Sequence, residues 1–112
     1  MTSAWIVFVI TAYSLGCDAP GPLTASGVRP VSGYTIAADR SMLPFGSIVY
    51  IEGVGERIVH DVGGAIKGNR IDLYLDDCRA AKSWGVQKRR VRVVHKPSER
   101  RVAWMNRTSS TE

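Results

Sequence analysis

Between Trp5 and His95 the chain alternates short β-branched and aromatic runs with turns marked by glycine or proline, and it carries a single helix signal. That pattern leaves few folds open. Trp5–Tyr13, Tyr34–Ala38, Ser47–Glu52, Arg57–Asp61, Ile71–Leu75 and Gln87–His95 each read as a strand. Gly53-Val54-Gly55 reads as a hairpin turn between two of them, and Pro44 and Gly46 punctuate the connection Arg40–Gly46. Asp76–Trp84 is the helix: Asp76 or Asp77 can cap it, Ala80 and Ala81 favour it, and Gly85 stops it. Strands and helices do not alternate, which argues against a parallel α/β sheet. Six short strands left as an open sheet would expose pairing edges, and closure removes them. The expected fold is therefore all-β, a small closed six-stranded barrel with one short helix. A chain of 112 residues fits one domain. We expect residues 1–95 to form the barrel and residues 96–112 a basic, polar C-terminal tail. Ser14–Pro30 is a long Gly- and Pro-rich loop, of the kind that compact domains keep for function.

The formal net charge is +5, and much of the excess follows residue 87: Lys88, Arg89, Arg90, Arg92, Lys96, Arg100, Arg101 and Arg107. Such a bias suits a nucleic acid, a polyanionic cell wall or a simply solvated surface. Residues 4–10, AWIVFVI, fall short of the roughly 20 apolar residues that cross a bilayer and lack the basic flank of a secretory signal. They read as the first strand, so neither a membrane span nor an export signal is expected. Cys17 and Cys78 make no CxxC pair, which disfavours zinc. They suit either one disulfide in an oxidising compartment or two buried thiols. His60 and His95 lack a metal-ligand spacing, and no phosphate-binding GxxxxGK[ST] or nucleophile-elbow GxSxG motif is present. No metal or organic cofactor is expected.

The chemistry concentrates in HDVGGAIKGNRIDLYL, His60 to Leu75. Asp39, Asp61 and Asp72 each follow a short β run, and strand ends on one barrel rim can bring such acids together. Crowded carboxylates cannot all ionise freely, so one should have a raised pKa and serve as a general acid. Gly63 and Gly64 let backbone approach a ligand, and Lys67 can donate to a substrate oxygen or hold an aspartate ionised. His60 precedes Asp61 on a strand, so alternation points it to the opposite face, as a packing residue rather than a base. Tyr13 offers a flat face for a sugar ring, and Thr11, Thr24 and Ser26 offer hydroxyls. Three solvated strand-end acids beside a loop lysine would give the same spacing.

Five blocks in consistent order sharpen this: ITAYSLG, LTASG, TIAADRSMLPFGSIVYIEG, HDVGGAIKGNRIDLYL and the Trp84-Gly85 pair before VRV. Over about residues 10–94 they resemble the 3D domain, named for three aspartates and similar to the catalytic barrel of MltA-type lytic transglycosylases. The resemblance implies a double-psi β-barrel. It implies cleavage of peptidoglycan glycan strands between N-acetylmuramic acid and N-acetylglucosamine without water, leaving 1,6-anhydromuramic acid ends. It implies Asp72 as the catalytic acid, with Asp61 and Asp39 as the other two named aspartates. Tyr13, Thr24, Gly63, Gly64 and Lys67 are then the candidate glycan contacts, and the site of action is the cell wall, outside the cytoplasm or in the periplasm. A chain with no visible export signal also suits a phage-encoded or lysis-released factor. No counterpart of the extra domain that walls the groove of MltA is expected, and a non-catalytic glycan-binding barrel is the alternative. A nucleic acid partner is not expected, because the three acids would repel a phosphate backbone. A Cys17–Cys78 bridge would pin the first loop near the barrel rim.

Overall fold

A computed structural model describes residues 4–14 and 23–97. The strands are β1 (Ile6–Tyr13), β2 (Thr35–Ala38), β3 (Ile48–Ile51), β4 (Gly55–Asp61), β5 (Arg70–Tyr74) and β6 (Gln87–His95), with one helix, α1 (Cys78–Trp84), before β6. They close into a barrel in the order β1-β5-β2-β4-β3-β6. Two pairings, β1 with β5 and β2 with β4, are parallel, and the other four are antiparallel. The expected all-β closed barrel with one helix is the architecture found. Of the expected tail, residues 98–112 lie outside the described residues.

Alternation explains the core. Phe8 and Ile10 of β1, Ile36 and Ala38 of β2, Val49 and Ile51 of β3, Ile71 and Leu73 of β5 and Val91 of β6 point inward at two-residue spacing. Val59 of β4 and Leu43 of the β2–β3 connection complete this cluster. Each large aliphatic side chain so buried contributes roughly 1.5–3 kcal/mol relative to exposure. The connection from β2 to β3 is pinned by Met42 and Leu43 N–H groups donating to the Asp39 carbonyl, at 2.9 and 2.8 Å.

Element ends differ slightly from expectation. Tyr34 stays out of β2 because its N–H closes a turn on the Val31 carbonyl. β4 starts at Gly55 rather than Arg57, since the hairpin turn is tight: Gly53 takes φ 80° and Gly55 already faces Ile51. The Asp77 side chain accepts the Arg79 N–H at 3.0 Å, so α1 begins at Cys78. Trp84 ends the helix and ties it to the barrel, its indole N–H donating to the Ile10 carbonyl at 2.9 Å.

Candidate active site

Strand register assembles the site. Thr11 of β1 lies opposite Asp72 of β5, Asp72 opposite Ala37 of β2, and Ala37 opposite Asp61 of β4. Four neighbouring strands thus carry one row: Thr11, Asp72, Ala37, Asp61. Two strand spacings, roughly 10 Å of backbone, separate the two aspartates, and the alanine methyl forms a low floor between them.

Asp61 reaches this row through an irregularity. Val59 is in the core, and simple alternation would turn Asp61 back toward it. The β2–β4 register shifts between Ile36 and Ala37, so that Val59 faces Ile36 while Asp61 faces Ala37. His60 is the extra residue. His60 is absent from the cleft lining that holds Asp61. His60 is half-buried, its Nδ1 is 3.1 Å from Thr35 Oγ1, and desolvation holds its pKa below the ordinary value.

The row opens into a cleft of about 530 Å³. Asp61, Asp72, Tyr13 and Gly63 line it, together with Ala12, Ala37 and Val62 and with Ala81 and Lys82 of α1. Thr11 donates its hydroxyl to Asp72 Oδ1 at 2.8 Å, which orients that carboxyl. Asp61 is heavily committed. Its Oδ1 accepts the Ala25 and Val62 N–H groups at 2.8 and 2.9 Å, and its Oδ2 accepts the Tyr13 hydroxyl at 3.0 Å. The Tyr13 phenol pKa is pushed far up, first by burial and then by the Asp61 charge and hydrogen bond, with Asp72 adding to it. Tyr13 therefore keeps its proton and acts as a hydrogen-bond donor to Asp61, and its ring packs edge-on against Tyr74.

The remaining sequence candidates lie elsewhere. Asp39 is absent from the cleft lining. Its Oδ2 accepts the Gly68 N–H at 2.9 Å, and its Oδ1 accepts both the N–H and the hydroxyl of Ser41. These bonds, that from Gly68 first, lower its pKa. Gly68 holds φ 66° and so presents its amide to Asp39 as few other residues could. Lys67 is exposed and outside the cleft lining, and its charge also favours ionised Asp39. Thr24 is buried, and its hydroxyl donates to the Val28 carbonyl at 2.8 Å. It shapes the turn that delivers the Ala25 N–H to Asp61. Gly63 lines the cleft, but its lack of a side chain is needed elsewhere: a Cβ there would meet Ile66 Cγ1 at 2.9 Å. Gly64 is exposed, outside the cleft lining, and a Cβ would meet nothing within 4 Å. Cys17, one member of the expected disulfide pair, lies outside the described residues.

Sequence reasoning missed Lys82 and Ala37, and it noted Thr11 without assigning it a partner. A strand register would have paired Thr11 and Ala37 with Asp72, while only the packing of α1 brings Lys82 to the cleft. Among the described residues no group of His, Cys, Asp and Glu is arranged to hold a metal ion, and no helix is long and apolar enough to cross a membrane.

Comparison with known proteins gives this geometry a context. The chain is 39% identical over 88 residues to the cell wall-binding protein YocH of Bacillus subtilis, and 35% identical over 88 residues to YabE of the same organism, which is named for cell wall shaping. The alignments cover 76% of this chain but only 31% and 22% of those relatives. The fold is similar to the lytic transglycosylase MltA of Escherichia coli, with a TM-score of 0.60 and 26% identity over 72% of this chain and 30% of that one. It is equally similar to MltA with bound chitohexaose, with a TM-score of 0.59 and 26% identity over 71% of this chain and 30% of that one. Residues 34–95, which carry Asp39, Asp61 and Asp72, match the model of the 3D domain, and the chain belongs to that family.

Proposed function

We propose that this barrel is a peptidoglycan lytic transglycosylase. It would cleave the β-1,4 bond between N-acetylmuramic acid and N-acetylglucosamine and leave 1,6-anhydromuramic acid ends. The observation that carries this reading is Asp72, a carboxyl on the cleft wall oriented by Thr11, set against an Asp61 whose two oxygens are already engaged. An ordinary glycosidase needs a second carboxyl to activate water or attack the sugar. Asp61 is poorly suited to that, because releasing it would strand the Ala25 and Val62 amides. A single acid suffices when the sugar supplies its own nucleophile.

In the first step protonated Asp72 donates to the glycosidic oxygen as the C1–O bond breaks. In the second, the Asp72 carboxylate takes the proton of the muramic acid C6 hydroxyl while that oxygen attacks C1. The acid returns to its starting state, and no water is consumed. Positive charge on the sugar during bond breaking is favoured by the neighbouring Asp61 carboxylate. Thr11 keeps Asp72 aimed through both steps. The double-psi connectivity expected for such barrels belongs to the same proposal, as does action at the cell wall.

The relatives named for cell wall binding and shaping favour a second reading, a glycan-binding barrel without turnover. Mass spectrometry of digested glycan strands separates the two. Anhydro ends appearing with wild-type protein and vanishing with Asp72→Asn support the enzyme. Glycan retention without anhydro ends, unchanged in Asp72→Asn, supports the binding module.

A further inference from the structure

Two depressions in the surface share one side chain. The catalytic cleft has Lys82 on its helical wall, and a second basin on the flank of α1 is lined by Asp77, Cys78, Arg79 and the same Lys82. Arg79 and Lys82 are three positions apart on α1, so their side chains rise from one face of the helix. Both are exposed, and among the described residues neither forms a salt bridge. Asp77, the acid of the basin, is turned to the helix end, where its Oδ1 accepts the Arg79 N–H. A ligand lying in the cleft therefore meets acids along the strands and Lys82 on α1, and a substituent reaching past Lys82 into the basin meets Arg79 as well.

From this division we infer that Lys82, with Arg79, selects glycans that carry a carboxylate substituent, the sugar backbone lying in the cleft and the acid group in the basin over α1. The inference rests on the glycan reading above and narrows its substrate class. The acids at Asp61 and Asp72 disfavour an anionic backbone in the cleft itself. An uncharged backbone with a pendant acid satisfies both halves of the surface. The carboxylate can be that of the lactyl ether on muramic acid or that of a peptide attached to it; both offer the same planar anion to Lys82 and Arg79.

The test is equilibrium binding of three probes to Asp72→Asn protein and to the wild type: chitohexaose, peptide-free glycan strands with bare lactyl carboxylates, and strands with stem peptides. Lys82→Ala should weaken an acidic probe about fivefold, the scale of an exposed ion pair, and leave chitohexaose unchanged. Lys82→Arg should retain the preference, and raised salt should erase it. The stem peptide is joined through the lactyl carboxyl as an amide, so a loss with peptide-free strands alone assigns the site to the lactyl acid, a loss with peptide-bearing strands alone assigns it to the peptide carboxylates, and a loss with both shows that the basin takes either. Equal losses on neutral and acidic probes, or no loss on any, overturn the inference while leaving the glycan reading intact. If no probe binds, both fall.

Discussion

Two walls of this barrel carry opposite charge, and they hold it by different means. On the β1-β5-β2-β4 side the row Thr11, Asp72, Ala37, Asp61 faces the cleft. On the β1-β6-β3 side, Arg92 lies opposite Tyr50, with Trp5 just beyond the last paired residues of β1. The Arg92 guanidinium sits 5.1 Å from the Trp5 ring centre and 5.7 Å from that of Tyr50. Arg90 lies 5.0 Å from Trp5 and pairs with Glu52. The cations are held by aromatic faces and a neighbouring strand, so register alone builds that wall. The acids at Asp61 and Asp39 are held by amides from the turns around residues 25, 62 and 68. A carboxylate can accept several N–H bonds that an unpaired strand end or loop supplies, whereas a guanidinium has nothing to accept and finds π faces instead. Register sets Asp72 beside Thr11 on the acidic wall, but turn amides fix the oxygens of Asp61, so loop changes should disturb the support of Asp61 and leave the basic wall untouched.

The largest expected difference between the walls is catalytic. Asp72→Asn should lower release of anhydro ends by at least about 100-fold, the low end of what a general acid contributes, with an unchanged circular dichroism spectrum. Arg92→Gln should leave that rate within a factor of about two, since the residue touches only its own wall. Equal losses would end the functional contrast.

Next comes the support of Asp61. Tyr13→Phe removes a donor to a carboxylate and should cost about 1.5 kcal/mol in urea denaturation, within the range for hydrogen bonds to charged groups. The raised Tyr13 pKa has a matching signature: the stability it contributes is present below the unfolded value of 10.0 and is lost as pH rises past it. A Tyr13→Phe protein that keeps the wild-type alkaline stability loss would remove Tyr13 as its cause.

Loop closure is tested by glycines and by Asp39. Gly63→Ala should destabilise the fold by roughly 1–3 kcal/mol through its clash with Ile66, an overpacking cost, while Gly64→Ala should match wild type. Asp39→Ala should speed hydrogen exchange at the Gly68 amide. With its folded pKa lowered below 3.8, the Asp39 contribution is present above that value and lost as pH falls through the folded pKa. Wild-type acid stability in Asp39→Ala would show that the bonds from Gly68 and Ser41 to Asp39 add nothing to stability.

The smallest effect is expected on the basic wall. Glu52→Gln breaks an exposed pair and should shift the melting temperature within experimental error. A larger shift would mean that the wall is a structural unit rather than a solvated face.

Asp61 and Lys82 mark how far the sequence could be followed. The β runs and the Asp77 cap were legible because alternation and capping are local, and the core at Ile10, Ile36, Val49 and Ile71 follows from the same two-residue period. Alternation counted from Val59 does not by itself place Asp61 on the cleft side, because the register shift there depends on the partner strand β2, some twenty residues earlier in the chain. Asp39 belongs to the three-aspartate pattern on paper, yet its oxygens are spent on Ser41 and Gly68.

What the sequence by itself determined is the set of strands, the closed all-β architecture and the presence of three acids at strand ends, since propensity, period and turn chemistry act over a few residues. Which acids share a cleft was decided only by tertiary structure. Barrel closure sets Thr11 and Ala37 on either side of Asp72, a shifted register turns Asp61 toward them, and the docking of Trp84 on Ile10 ties α1, with Lys82, to the barrel. Those are contacts between residues up to 74 positions apart, and local preference carries no information over that distance.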